Sequence, residues 1–440
     1  MDYQKLIDKA LATGFSDIEI YVSKGVATTI SVFNGEVDKN QIHDTTSFTV
    51  RAIYHDKMAY LAFENENDDF DYILNTLKAN ANSLTSLEEY EIFGGSDSYP
   101  ELERCDGGFS QVPMLDKINL AMNLEKAVLQ YDSQIINVPY CRYNEASETV
   151  KIINSKGLNL EKSNEYGYFV VQAVAKENDQ TQSSFEIEVV LNYHEIDADK
   201  VGEKVAKKAI EKLNAKPVPS KVYPVIFDNE AMADLFEVFT SFFSGEAAIK
   251  KLTPLLGKDN EKIFSEKINI IDDPLYPKSV NREPFDDEGV ACYKKYVVKD
   301  GVFQGLLHNL KTARYFKTKT TGNGFKLGTS IGVRGTNLYI QGGTKTQAEL
   351  ISGIEEGLLI TDLAGLHAGA NPITGDFSAQ SSGFLIENGK ITRPVTLIVV
   401  SGNFIKIMNQ IDEIGNDLKI FYTGIGTPSI KFTGLPVSGK

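Results

Sequence analysis

The sequence is poor in cysteine and contains no long apolar run. Its three cysteines, Cys105, Cys141 and Cys292, form no CxxC pair and no even-numbered framework, which argues against disulfides and predicts a reducing compartment. No apolar run reaches about 18 residues, and the start of the chain lacks the apolar centre of a secretory signal. We therefore expect a soluble, cytoplasmic protein without a membrane segment.

Histidine is equally scarce. The five histidines stand at positions 43, 55, 194, 308 and 367, and no two lie within one helical turn of each other. This spacing excludes a metal site built from two histidines of one element. His194 and Glu195 open the stretch HEIDADK, but the zinc helix motif needs a second histidine four residues on, where Ala198 stands, so the pair is better explained as the start of a helix. The glycine motifs of nucleotide-binding loops and the GxSxG motif are absent as well.

The charge balance is strongly acidic. Sixty acidic residues against 45 basic ones give a formal net charge of −15, which repels phosphate backbones and predicts no direct binding to nucleic acid. Hydrophobic residues make up 42% of the 440 residues, enough for a substantial core. At about 150 residues per domain, this length predicts two or three domains.

The first half alternates helical and strand patterns. Helices are predicted over 3–13, 68–84, 115–131 and 194–215, and strands over 17–23, 27–35, 47–54, 58–64, 148–157, 167–177 and 184–193. The first six of these elements along the chain predict a helix, a four-stranded meander and a second helix. Residues 93–112 are rich in Gly, Ser, Pro and acids and form a candidate boundary. We expect an N-terminal α+β region over 1–215, with candidate subunits 1–95 and 113–215.

The second half is β-rich and punctuated by glycine. The apolar strand YPVIFD (223–228) is followed by a helical pattern that Asp228 or Asn229 could cap. The dipeptides Asp300-Gly301 and Asn388-Gly389 predict two tight hairpins. The expected fold is therefore α+β, with an N-terminal α/β-meander region followed by a β-rich C-terminal domain over 216–440.

Two charged stretches could carry chemistry. Asp286, Asp287 and Glu288 could bind a hard cation or supply a general acid and base, although an acidic run beside glycine also fits a solvated loop. The strongest basic run comprises Lys311, Arg314, Lys317 and Lys319, followed by TGNG (321–324). It could clamp an anion with help from free backbone N–H groups, or form a flexible surface loop. The lone thiol of Cys292 is predicted to face the core from a strand.

The segment ANPITGDFSAQSSGFLIENGK (370–390) combines a polar loop with a hairpin. Ser378, Ser381 and Ser382 have no activating base nearby except His367, so a nucleophilic serine is not favoured. We expect Pro372 and Gly375 to fix a turn whose backbone is satisfied by Asp376 and the serines. Under that interpretation, substitution of Gly375 damages folding or peptide binding, while Ser381→Ala is mild.

Several segments of the chain resemble the TldD/PmbA family, also described as modulators of DNA gyrase or U62-type peptidases. The resemblance extends over the whole chain, and its matching segments are EIYVSKG with SVFNGEVDK, SGEAAIKK (244–251), INIIDDP (268–274), FDDEGV (285–290), GVFQGLLHNLKTA (301–313), TGNG, and NPITGDFSAQSSGFLIENGKITRPV with LIVVSGNF. It implies the family's C-terminal domain type and a cytosolic pair of TldD-like and PmbA/TldE-like subunits that acts on unfolded or modified peptides.

The same resemblance implies a metal site that this chain does not carry. TldD-like subunits hold their metal with an HExxxH helix and a cysteine near the C-terminus. Here Phe236 and Ser241 stand where the two histidines would be, Glu237 stands at the glutamate position, and the last twenty residues contain no cysteine. Phe and Ser supply no strong zinc donor, and a glutamate without a metal-bound water has nothing to deprotonate.

We therefore expect a PmbA/TldE-like, non-catalytic subunit without a cofactor of its own, zinc being expected only in a TldD-like partner. It would bind a peptide substrate as a heterodimer with that partner or as a homodimer. The residues expected to line the peptide cavity are His308, Asn309, Gly375, Asp376, Phe377 and Ser378. Two alternatives stay open: an active peptidase with a different site, such as Asp286, Asp287 and Glu288 near His308, and a protein-binding regulator resembling a gyrase modulator.

Overall fold

The computed structural model describes residues 1–64, 66, 68–85, 91–102, 107–328 and 330–440. Cys105 and part of the candidate boundary over 93–112 lie outside the described residues. The elements up to residue 215 are α1 (Tyr3–Ala12), β1 (Asp17–Phe33), β2 (Glu36–Tyr54), β3 (Lys57–Glu64), α2 (Phe70–Ser83), α3 (Met114–Tyr131), β4 (Ile135–Asn154), β5 (Asn159–Glu177), β6 (Gln180–Val190) and α4 (Ala198–Glu211).

The six strands of this region form one antiparallel sheet in the order β3-β2-β1-β4-β5-β6. β1 pairs with β4 from Glu19–Asn154 to Ser31–Arg142, which joins the candidate subunits 1–95 and 113–215 in a single sheet. Alternate residues point to one face, where α1 and α2 pack over one end of the sheet and α3 and α4 over the other. The opposite face of the sheet meets the C-terminal region, where Val150 and Ile152 pack with Phe285.

The predicted four-stranded meander is wrong in one respect. The segments 17–23 and 27–35 belong to one continuous strand, β1, because Ser23-Lys24-Gly25 continues the extended backbone and stays paired to β2 and β4. Gly25 is paired with Thr45 of β2 and with Glu148 of β4, so it forms no turn. Gly157, with a φ of +90°, lies in the turn between β4 and β5.

The C-terminal elements are β7 (Lys221–Phe227), α5 (Asn229–Phe239), α6 (Gly245–Ile249), β8 (Ile270–Asp272), β9 (Lys295–Lys299), β10 (Val302–Phe303), α7 (Leu310–Phe316), β11 (Gly324–Leu327), β12 (Ser330–Val333), β13 (Leu338–Ile340), α8 (Gln347–Ser352), β14 (Glu356–Ala364), α9 (Leu366–Gly369), β15 (Asp376–Glu387), β16 (Lys390–Asn403), α10 (Phe404–Met408), β17 (Ile411–Ile414), β18 (Lys419–Ile420), β19 (Ile425–Thr427) and β20 (Ile430–Ser438).

These strands form two larger sheets and one hairpin. One sheet has the order β16-β15-β14-β7-β20-β17, and an additional pairing of β16 with β20 closes five of its strands into a ring. The other has the order β10-β9-β8-β13-β19-β18, and β11 pairs with β12. The largest apolar cluster of the described residues lies between these sheets and α5, and its phenylalanines include Phe236, Phe239, Phe242, Phe243 and Phe404. The predicted α+β class with a β-rich C-terminal region is confirmed.

Candidate functional site

A cleft with a volume of about 710 Å³ separates the N-terminal sheet from the C-terminal region. Its walls are β6 with the following turn, one face of α5, the loop over 277–280, and residues 419–423 from β18 onward. This volume falls in the range of ligand-binding pockets, about 300–1,000 Å³. The cleft is therefore the candidate functional site.

One wall of the cleft is the free edge of a sheet. β6 is the last strand of the N-terminal sheet and pairs with β5 alone among the described strands. Seven consecutive residues, from Phe185 to Leu191, line the cleft. Because successive side chains of a strand point to opposite faces, consecutive residues can line one space only where the strand presents its edge to it. The unpaired backbone groups of β6 thus face the cleft.

The opposite wall is the polar face of α5. The helix begins after Asp228, whose carboxylate accepts a hydrogen bond from the N–H of Ala231 at 2.8 Å, which confirms the predicted cap. Glu230, Asp234 and Glu237 line the cleft together with Ala233. These positions recur at the spacing of one helix face, so the carboxylates form a stripe along the cleft.

Burial at this wall alters the acidity of the stripe. Desolvation, followed by repulsion from Glu230 and Glu237, raises the pKa of Asp234 to about 6. Desolvation also raises the pKa of Glu237. Behind the stripe, burial raises the pKa of the capping Asp228 to about 8. Within the cleft, Asp234 thus changes its protonation at weakly acidic pH.

Lysines balance part of this negative charge. Lys208 of α4 bridges Glu186 of β6, at 2.8 Å, and Glu230 of α5, at 2.7 Å, so it ties the two walls together at one end of the cleft. Lys419 also lines the cleft, and desolvation followed by repulsion from Lys204 lowers its pKa.

The helix that would carry the HExxxH motif does not fit a metal. Phe236 is fully buried, and its ring lies 6.5 Å from that of Phe243 and 6.2 Å from that of Phe404. Ser241 lies beyond the end of α5, in a short 3-10 turn over 240–243. Glu237 alone of the three faces the cleft. A carboxylate with a buried phenylalanine and a serine is not a donor set for zinc, and across the described ranges no three His, Cys, Asp or Glu side chains are grouped so that they could hold a metal ion.

The acidic run over 286–288 is buried, which corrects the expectation of a solvated loop. Asp286, Asp287 and Glu288 are 0%, 9% and 4% exposed. Asp286 accepts hydrogen bonds from the N–H groups of Glu288, Val290 and Gly324, and Glu288 accepts one from the N–H of Leu310 at 2.8 Å. Desolvation raises the pKa of both Asp286 and Glu288. The loop is buried because the N-terminal sheet packs against it.

Side chains of the N-terminal sheet also contact the carboxylates of the acidic run. Asp287 accepts a hydrogen bond from the hydroxyl of Tyr21 at 3.1 Å, and Lys162 donates to Asp287 and to Glu283. The guanidinium of Arg51 lies 3.7 Å from Glu288. These contacts join the two regions of the molecule, so the acidic run is accounted for as an interdomain connection.

His308 and Asn309 lie at the start of α7, away from the cleft. They are 7% and 2% exposed, and Asn309 forms a capping box with Thr312, to which the ring of His308 also bonds at 3.1 Å. The first part of the basic run is helical, because Lys311 and Arg314 belong to α7, which Lys317 caps with a φ of +54°. Lys319 lies beyond the helix. The N–H of Gly324 is taken by Asp286, so that N–H of the TGNG segment is not free for an anion.

The loop over 370–375 is held by different side chains from those predicted. The side chain of Asn371 accepts hydrogen bonds from the N–H groups of Ile373 and Thr374, and Gly375 adopts a φ of +86°. Asp376 instead bonds to the side chains of Thr374 and Asn403. Ser378 faces Ser401, and Ser381 donates to the carbonyl of Ala379, so neither serine meets a base. Phe377 is buried at 3% exposure.

The six predicted cavity residues, from His308 to Ser378, are therefore not among the residues that line the cleft. Their contact with a peptide stays a prediction. Sequence reasoning missed the β6 edge and the acidic stripe, although Glu230, Asp234 and Glu237 at helical spacing on an otherwise apolar helix were a readable signal. Cys292 is buried as predicted, but it lies outside any strand.

Comparison with known proteins assigns three segments of the chain to three domains of one family. The PmbA/TldA metallopeptidase C-terminal domain matches residues 220–439, the central domain matches 107–213, and domain 1 matches 18–81. A metalloprotease PmbA homologue from Buchnera aphidicola is 25% identical over 435 residues, covering 97% of this chain and 94% of its own. Metalloprotease PmbA of Escherichia coli O157:H7 is 26% identical, covering 93% and 90%.

Solved structures share the fold from end to end. A protein from Thermotoga maritima, described as a putative modulator of a DNA gyrase, superposes with a TM-score of 0.92 at 30% identity, and the match covers 99% of both chains. TldE from Thermococcus kodakarensis has a TM-score of 0.90 at 23% identity with the same coverage, which is a likeness of fold. Among the described residues, no helix is long and apolar enough to cross a membrane.

Proposed function

This chain belongs to the PmbA/TldD metallopeptidase family, and we propose that it is the peptide-binding, non-catalytic subunit of a cytoplasmic peptidase pair. A metal-bearing subunit of the same family would supply the hydrolytic chemistry. This chain would hold an extended, unfolded peptide in the cleft between β6 and α5.

The observation that carries the proposal is that two features face each other across the cleft. One is the free edge of β6, and the other is helix α5, which lacks metal ligands. The edge of β6 offers backbone donors and acceptors along Phe185–Leu191, which can add an extended peptide as a further strand. Such backbone pairing is largely independent of peptide sequence. Facing it, the metal-motif positions of α5 hold Phe236 in the core and offer the cleft only Glu237. The cleft can therefore bind a peptide, but its residues do not support metal-dependent hydrolysis.

The alternative of a separate active site in the acidic run has less support. A general acid or base needs a proton-accepting atom within reach of a substrate. Asp286 and Glu288 are almost completely buried and already accept backbone hydrogen bonds, while Asp287 is held by Tyr21 and Lys162. Their contacts favour a structural role between the two regions.

Peptide binding to the isolated chain tests the proposed site. Val189 lines the cleft on β6, and Val189→Arg would place a long charged side chain in the peptide's path. Val222, on β7, is 63% exposed and outside the cleft, so Val222→Arg is the matched control. We expect fluorescence anisotropy with a labelled unfolded peptide to show weakened binding by Val189→Arg alone. Equal binding by wild type and both variants would place the peptide elsewhere.

A further inference from the structure

One face of the N-terminal sheet carries an arginine without an acidic partner. Cys141 and Tyr143 of β4 pack into the core beneath α3 and α4, so Arg142, between them, lies on the opposite face. The residue is half-buried. Its Nε is buried without a hydrogen-bond partner, and its guanidinium forms no ion pair with a carboxylate of the described chain. Arginine is seldom buried unless it is paired, and this chain has 60 acidic residues against 45 basic ones, so Arg142 is placed to bind an anion from outside the chain.

Tyrosine side chains surround this guanidinium. Its Cζ lies 4.3 Å from the ring centre of Tyr140, which is two residues away on the same face of β4. Tyr168 of β5 is its diagonal neighbour on that face, within reach of a long side chain. Desolvation, followed by the Tyr140 phenol, raises the pKa of Tyr168, the Arg142 guanidinium lowers it, and the Tyr422 phenol raises it, so these groups lie close enough to interact. None of the three hydroxyls bonds to another described residue. We call Tyr140, Arg142, Tyr168 and Tyr422 the arginine–tyrosine group.

The arginine–tyrosine group adjoins the cleft between β6 and α5. Tyr422 lines the cleft, and so does Ile187 of β6. Ile187 pairs with Val170, which in turn pairs with Arg142, so these three side chains share one face in a row across the sheet. With about 4.8 Å between neighbouring strands, β4 lies roughly 10 Å inward from β6. Two apolar side chains therefore separate the β6 edge from the guanidinium.

We propose that the arginine–tyrosine group binds a carboxylate of the peptide that occupies the cleft. The inference rests on the proposed function and names a chemical feature of its ligand. A guanidinium presents a planar fork of N–H donors that matches the two oxygens of a carboxylate, and phenol hydroxyls can donate to the same oxygens. A peptide strand added to β6 would lie roughly 14 Å from β4, a distance that about four extended residues cover. The last residues of the peptide can thus leave the edge and bring its C-terminal carboxylate to Arg142.

The charges around the cleft favour this position for a carboxylate. Glu230, Asp234 and Glu237 line the wall formed by α5 and repel an anion there. Lys419 also lines the cleft, but its ammonium is a point charge whose pKa is lowered, chiefly by desolvation. The guanidinium of Arg142 stays charged and has the geometry for two parallel hydrogen bonds. Arg142 is therefore the better partner for a carboxylate.

Peptides that differ in a single carboxylate test the inference. Fluorescence anisotropy at pH 7 would compare an N-terminally labelled unfolded peptide with a free C-terminus, its C-terminal amide, and the same amide with glutamate as its last residue. We expect at least about tenfold tighter binding of the free acid than of the amide, as for a hydrogen bond to a charged group. Tighter binding of the glutamate amide alone would identify a side-chain carboxylate as the ligand. Equal binding of the three peptides would overturn the inference.

Substitutions locate the carboxylate site. Arg142→Gln should abolish the preference for the carboxylate, and Arg142→Lys, a second variant that keeps the charge without the fork, should weaken it. Lys151→Gln is the matched control, because it removes a positive charge from the opposite face of β4, where Lys151 pairs with Glu161. Lys419→Gln should also keep the preference. A preference that persists in both Arg142 variants, or that is lost in Lys151→Gln or Lys419→Gln, would contradict the assignment.

The same measurements separate this inference from the proposed function. Val189→Arg should weaken binding of the amide peptide, which has no C-terminal carboxylate, whereas Arg142→Gln should leave the affinity for that amide unchanged. Equal binding of all three peptides by wild type, with loss of binding in Val189→Arg, would refute the carboxylate site and support the peptide cleft. Absence of binding for every peptide would contradict both.

Discussion

The ring of Phe236 stacks on that of Phe404, with centroids 6.2 Å apart and planes 17° from parallel. Phe236 occupies the position that family resemblance assigns to the first metal-binding histidine. Its side chain is turned away from the cleft and into a cluster that also contains Phe239, Phe242 and Phe243. This position therefore contributes to core packing and offers the cleft no metal ligand.

Restoring the histidines is not expected to restore a metal site. In Phe236→His/Ser241→His the new imidazole at 236 would be buried among aromatic rings, where an unpaired polar group costs stability. We expect a lowered melting temperature and no bound zinc by atomic emission after dialysis. Glu237→His, which changes a residue exposed to the cleft, serves as the control for stability. Stoichiometric zinc in the double variant would show that position 236 can reach the cleft.

The cap of α5 is expected to make stability depend on pH. Desolvation raises the pKa of Asp228 to about 8, above the usual aspartate value, so the folded state binds the proton more tightly than the unfolded state. The contribution of Asp228 to stability therefore falls as pH rises through the interval from about 4 to 8. Asp228→Asn keeps the cap and should flatten this decline in denaturant unfolding measured at several pH values.

Asp228→Ala is the companion variant. It removes the acceptor for the Ala231 N–H and should be about 1 kcal/mol less stable than Asp228→Asn at all these pH values. If Asp228→Asn showed the same decline with pH as wild type, the titrating group would be another carboxyl.

The interdomain connection depends on Lys162. Lys162→Met would leave Glu283 and Asp287 without their shared cation at a buried position, and breaking a buried pair in this way costs about 3–5 kcal/mol. Denaturant unfolding should show this loss. Lys299→Met, at an exposed strand end, is the control and should stay within about 0.5 kcal/mol of wild type. Equal stability of the two variants would remove the ionic connection from this account.

Substitution of Gly375, just before β15, should lower stability more than substitution of Ser381 within β15. An alanine at Gly375 must adopt a φ of +86°, and its Cβ would lie 3.2 Å from the side-chain nitrogen of Asn403, so we expect a loss of at least about 1–2 kcal/mol. Ser381→Ala loses one hydrogen bond to Ala379 and should cost about 1 kcal/mol. A folded Ser381→Ala protein in which the paired assembly had lost all peptidase activity would give this serine a catalytic role.

Local signals predicted many elements correctly. The Asp228 cap, the apolar spacing of α5 and the positive φ angles at Asp300-Gly301 and Asn388-Gly389 each rest on neighbouring residues, and the sequence displays them directly. The break expected at Ser23-Lys24-Gly25 was wrong, because pairing on both sides of β1 overrides the turn tendency of a single glycine.

Burial and the cleft depend on contacts between distant segments. The acidic run at 286–288 looked solvated because its partners, Tyr21, Arg51 and Lys162, lie more than a hundred residues away in sequence. The cleft is lined by β6, α5 and the segment over 419–423, and no short sequence pattern indicates that these segments lie close together. The family resemblance identified α5 as the helix at the position of the metal motif. The direction of the Phe236 side chain, into the core, is set by tertiary packing and is not visible in the motif.

The central claim is that this chain binds peptide and does not hydrolyse it alone. The most direct test is to measure zinc content and hydrolysis of an unfolded peptide for the purified chain, for a metal-bearing subunit of the family with an intact HExxxH helix, and for their mixture. The account predicts no bound zinc and no hydrolysis by this chain alone, and hydrolysis by the mixture that Val189→Arg diminishes. Stoichiometric zinc together with peptide hydrolysis by this chain alone would contradict it.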